Sequence, residues 1–110
     1  MNAQLEKKNA LANAVGESRA LLDIGLEDKR RYPREAFKRL FDSVVAYAEA
    51  TANDELIYRN VVQSMNGLRA YLELERKRMP DNILYDADRL ETILFAGYDP
   101  YFSGDETPDL

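Results

Sequence analysis

Residues 33–48 read PREAFKRLFDSVVAYA, and this stretch decides the fold. Phe37, Leu40, Phe41, Val44, Val45 and Ala48 recur with a 3.6-residue period, which places them on one side of a helix. Glu35, Lys38, Arg39 and Asp42 occupy the other side. Pro33 suits the first helical position, where its missing N–H is not needed and its φ is already helical. Glu35 stands four residues before Arg39 and Lys38 four before Asp42, spacings that add about a few tenths of a kcal/mol each on a water-facing surface. A stripe this regular must be buried against another element, and the rest of the chain offers helices to receive it.

Before it, Leu11, Val15, Ser18 and Leu22 recur at i, i+4, i+7 and i+11, with Leu5, Ala12 and Leu21 flanking the same face. Gly16 lies within this helix at a cost of about 1 kcal/mol relative to alanine. Gly25 falls where a left-handed residue ends a helix, and Leu26 is placed to close back on Leu21, so the first helix is expected to stop near Ile24. After it, Thr51 or Asn53 caps a third helix whose first turn holds Asp54 and Glu55. That helix is expected to run to Arg78, because Pro80 disfavours helical geometry at Met79. Arg76, Lys77 and Arg78 then supply the positive charge that suits its end. Its length is roughly 26 residues, or about 39 Å. Asp81 caps a fourth helix lined by Ile83, Ala87, Leu90 and Leu94 and ended by Gly97.

Residues 98–110 contain Pro100, Gly104 and Pro108 and do not continue as helix. Neither an alternating strand pattern nor a repeat of solenoid period occurs. The expected fold is all-α: a compact bundle of about four helices over residues 1–97, with an irregular, acidic and aromatic segment over 98–110.

The chain has neither histidine nor cysteine. Histidine is the one side chain that titrates near neutrality unaided, and cysteine is the readiest nucleophile and soft-metal ligand. No catalytic residue, cofactor or disulfide is therefore expected. Asp86, Asp88 and Glu91 cluster in sequence, and Asp88 and Glu91 are one turn apart. An all-oxygen metal site needs a second acidic pair on a facing helix, for which Asp54 and Glu55 are a poor match. The di-iron type of bundle requires histidine and is excluded. The polar start, Met1-Asn2-Ala3-Gln4, and the lack of any apolar run near the ~18 residues of a membrane span lead to the expectation of a soluble, cytoplasmic protein without membrane contact.

The net charge is −5, unevenly spread. Lys29, Arg30, Arg31, Arg34, Lys38 and Arg39 crowd one short stretch, while Asp99, Asp105, Glu106 and Asp109 follow Tyr98 with no base among them. Glu35 and Asp42 offset the second half of the basic cluster. Nucleic-acid binding is not expected of a net acidic chain, because phosphate neutralisation supplies most of such affinity. Lys29, Arg30, Arg31 and Arg34 remain as an anion or partner contact beside a helix start.

The third helix carries two apolar faces. Ile57, Tyr58, Val61, Val62, Met65, Leu68 and Leu72 form the core stripe, while Gly67, Ala70, Tyr71 and Leu74 form a second on the opposite side. Either the helix is central and packs on both sides, or the second face meets a partner, of which a twofold homodimer is the simplest form. Tyr98, Tyr101 and Phe102 gather three aromatics in the final segment. They either cover the open end of the bundle or order on a partner.

The expected function is that of a non-enzymatic protein–protein interaction module, a small regulator, adaptor or inhibitor acting on a protein partner. Its contacts are Gly67, Ala70, Tyr71 and Leu74, with Tyr98, Tyr101 and Phe102. The alternatives are a nucleic-acid-associated protein using residues 29–39, a carboxylate-metal helical enzyme, and an acidic imitator of nucleic acid with its acids in two exposed rows.

Overall fold

The computed structural model describes residues 2–28, 30–75, 77 and 79–100. Helix α1 spans Ala3–Glu27, α2 Arg34–Ala50, α3 Arg59–Met65, α4 Leu68–Leu74 and α5 Ile83–Glu91, and α5 runs on into a π-helical turn at Thr92–Ala96. No strand occurs among the described residues. The protein is an all-α bundle.

The two long helices form its spine. Asn2 caps α1 by accepting the Gln4 N–H on Oδ1 at 2.9 Å, which satisfies one of the orphan donors of the first turn. Ala12, Val15, Ser18, Leu22 and Leu26 of α1 are buried. They meet Phe37, Leu40, Phe41, Val44 and Tyr47 of α2, also buried. Within this seam Ser18 and Ser43 share a hydrogen bond at 2.9 Å, so the polar pair at its centre is satisfied. Of the periodic stripe of residues 33–48, Phe37, Leu40, Phe41 and Val44 face inward with Tyr47 added, while Val45 is partly buried against the core and Ala48 lies at its margin.

Helix α1 does not stop at Ile24. It continues through Gly25 to Glu27, Leu26 is buried, and Leu21 lies on the surface. The glycine serves a close approach instead of a cap: a β-carbon there would sit 2.6 Å from Pro33 Cβ, where the chain turns back to begin α2. Pro33 itself precedes α2, which starts at Arg34.

The expected continuous third helix is replaced by a loop and two short helices. Residues 51–58 are irregular, and two residues, Tyr47 of the preceding helix and Lys8 of α1, hold their polar groups. Thr51 Oγ1 donates to Tyr47 O at 2.8 Å and the Tyr58 N–H donates to the buried Tyr47 hydroxyl at 3.0 Å. Lys8 Nζ of α1 holds the Asp54 carboxylate at 2.9 and 3.1 Å, and that hydrogen bond holds the Lys8 ammonium above its ordinary pKa against a smaller opposing effect of desolvation. The Tyr47 and Tyr58 rings meet edge to face at 5.9 Å. At the other end Gly67 adopts φ 74°, a left-handed conformation that breaks the rod between α3 and α4 and that residues with a β-carbon resist. Arg19 of α1 closes the end of α3, its Nη1 donating to Ser64 O at 2.7 Å and Asn66 O at 3.1 Å.

The expected core stripe survives this break in large part. Val61, Met65, Leu68 and Leu72 are buried and Ile57 and Tyr58 pack against them, whereas Val62 faces solvent. Lys77 lies beyond α4, and Arg76 and Arg78 fall outside the described residues. Asn82 and not Asp81 precedes α5, with no side-chain cap. Ile83, Ala87, Leu90 and Leu94 are all buried as their spacing requires, and Gly97, at φ 81°, ends the helix. Helix α3 leans on α1, α4 on α5, and α5 with its π-helical turn on α2.

Candidate interaction surface

Helix α4 sorts its residues by direction. Leu68 and Leu72 point into the core and Tyr71 is partly buried against it. On the flank toward α5, Arg69 donates to Asp88 at 2.8 Å and to Glu73 at 3.2 Å. Gly67 and Ala70 are exposed, and Leu74 is 84% exposed. The second apolar face is thus left outside the bundle, with Tyr71 as its inner edge. The other helices leave most of Leu74 in water, although a leucine side chain fully removed from water contributes about 1.5–3 kcal/mol.

A second group lies at the end of the described chain. Tyr98 is 61% exposed, and Phe95 of the π-helical turn is also on the surface. Between Tyr98 and Pro100, Asp99 is held by Arg89 in a fork of two hydrogen bonds at 2.9 and 2.6 Å. The Arg89 side chain is only 7% exposed and its guanidinium stacks 5.6 Å from the centre of the Phe41 ring. This bidentate pair, reinforced by the aromatic face beneath it, ties the segment after Gly97 back to α2 and α5. Tyr101 and Phe102 lie outside the described residues. Nothing in the sequence period connects residues 89 and 99, so this contact was not legible there.

The described members of the basic cluster have different surroundings. Lys29 lies outside the described residues. Arg30 turns back on Asp28, Nε to Oδ1 at 3.0 Å and Nη2 to Oδ2 at 3.2 Å, which raises the Arg30 pKa further. Arg31 is exposed. Arg34 stacks over Tyr32 at 5.8 Å, and burial pushes the Tyr32 phenol well above its usual range, with Arg34 opposing and Asp86 adding to that shift. The spacing-based pairs of Glu35 with Arg39 and Lys38 with Asp42 do not close to 4 Å. These four side chains instead line a shallow open groove with Leu21, Ala36 and Ser43.

The carboxylates of α5 are likewise divided. Asp88 faces Arg69, whereas Asp86 is buried and accepts from Asn82 Nδ2 at 3.1 Å. Among the described residues no three carboxylates gather as ligands for a metal. No helix among them is long and apolar enough to cross a membrane.

Fold and surface together define a small helical bundle with an uncovered apolar helix face. In comparisons with protein-family models, curated proteins and solved structures, nothing matches the chain.

Proposed function

We propose that the protein is a non-enzymatic interaction module that binds a protein partner through the outward face of α4. The observation that carries this reading is Leu74, a large apolar side chain held 84% exposed on a regular helix. Ala70 and Gly67 beside it are small enough to admit a close-lying partner surface, and Tyr71 offers a ring edge anchored in the core. Burial of an apolar centre bordered by charge is the usual anatomy of a protein interface, and Arg69 and Glu73 provide such a border on one side. Tyr98, held near the bundle by the Arg89–Asp99 pair, extends the contact, and Tyr101 and Phe102 follow it in sequence. The partner is a helical or flat protein surface, and a second copy of the chain satisfies the same description.

Ala70→Asp combined with Leu74→Asp tests this. Both positions face water, so stability is expected to change by only about 0.5 kcal/mol. Loss of partner capture from the native host, or of concentration-dependent association in sedimentation, is the expected result. Unchanged capture and unchanged sedimentation would show that this face is not the interface.

A further inference from the structure

We propose that Asn66–Gly67, at the break between α3 and α4, is a site of spontaneous asparagine deamidation that Arg19 holds in check. The chemistry belongs to the pair of residues. The Gly67 backbone nitrogen, after losing its proton to a solvent base, attacks Asn66 Cγ; the bond to the side-chain amide nitrogen breaks and ammonia leaves, giving a five-membered succinimide. Water then opens the ring at either carbonyl, leaving an aspartate at that position or its isoaspartyl isomer. One water is consumed and one ammonia released, and no other reagent is needed.

Several features of the break favour attack. Both residues are exposed, and the space where a Gly67 β-carbon would lie is empty to 4 Å. The Gly67 N–H has no acceptor among the described residues, so no hydrogen bond of its own restrains it. Asn2, Asn9, Asn13, Asn53, Asn60 and Asn82 are each followed by a residue bulkier than glycine.

One feature opposes it. Ring closure requires the Gly67 nitrogen to swing beneath the Asn66 side chain, which happens at strongly negative ψ. Asn66 stands at ψ 129°, with that nitrogen turned well away. Swinging it round carries the Asn66 carbonyl oxygen off Arg19 Nη1, 3.1 Å away. Arg19 is itself fixed by Asp23 at 2.9 Å and Ser64 O at 2.7 Å. The guanidinium thus clamps the peptide in an unreactive conformation, and reaction proceeds through local opening. The product gains a negative charge at the residue whose backbone carbonyl Arg19 holds, and the isoaspartyl form adds one backbone atom at the pivot of α4. The modification stands whether or not the α4 face binds a partner.

The test follows deamidation of the full chain at mildly alkaline pH by peptide mass mapping and by isoaspartyl methyltransferase labelling, folded and in denaturant. In denaturant, Asn66 is expected to react several-fold faster than Asn53 or Asn60; equal rates would overturn the site. Folded wild type is expected to react several-fold more slowly at Asn66 than denatured chain, and equality would overturn the clamp. Arg19→Gln is expected to bring the folded rate most of the way to the denatured one, with helical circular dichroism retained. If Arg19→Gln does not fold, Arg19→Lys decides: a rate above wild type supports the clamp, and an unchanged rate overturns it.

Discussion

At the residue scale, two glycines in the same helix have opposite requirements. A β-carbon at Gly25 would lie 2.6 Å from Pro33 Cβ, an atom fixed to the backbone that cannot swing aside. Gly25→Ala is therefore expected to destabilise the fold by about 1–3 kcal/mol through overpacking. At Gly16 the nearest atom to such a carbon is Ser64 Oγ at 3.5 Å, an ordinary contact. Gly16→Ala should stabilise by up to about 1 kcal/mol, since alanine loses less backbone freedom in a helix. Urea midpoints for the two variants should move to opposite sides of wild type. The sequence pattern set Gly16 inside the helix and Gly25 at its end; both in fact lie inside α1, and what separates them is what each one touches across the fold.

At the element scale, the segment from Thr51 to Tyr58 has caps, acids and length suited to a helix start, yet it is a loop. Local preference for helix is worth tenths of a kcal/mol per residue, and here it is outweighed by contacts from other elements. The Tyr47 hydroxyl is the central one: its ring is fully buried in α2 and it receives the Tyr58 N–H. Tyr47→Phe leaves that donor without its acceptor, at an expected cost of about 1–3 kcal/mol. Thermal unfolding should register the loss while far-ultraviolet circular dichroism stays near wild type; an unchanged transition temperature would mean that the loop is held by other contacts. Helices α3 and α4 are each two turns long, too short to persist alone in water. They exist because Val61, Met65, Leu68 and Leu72 are buried.

At the scale of the whole molecule, one apolar cluster runs from Ala12 of α1 through Leu94 of the π-helical turn. Helices α1, α2, α4 and α5 all contribute fully buried leucines to it, so no element can leave without exposing the rest. Unfolding is expected to be a single cooperative transition, with far-ultraviolet circular dichroism and tyrosine fluorescence giving coincident curves. Tyr47, Tyr58 and Tyr71 report from α2, the loop and α4, so separate transitions would show that the α4–α5 half unfolds by itself.

The sequence by itself determined the helical class and most of the inward faces. Side-chain direction within a helix follows from its 3.6-residue geometry, which needs no knowledge of the partner element; hence Phe37, Leu40, Phe41 and Val44, and likewise Ile83, Ala87, Leu90 and Leu94, were legible. The second face of α4 was legible too, but not its exposure, since that depends on whether another helix arrives to cover it. Tertiary structure alone decided where the middle of the chain leaves the helix, why Gly25 is glycine, and that Arg89 meets Asp99 over Phe41. Each of these is set by groups far apart along the chain and close in space, and periodicity carries no information about such meetings.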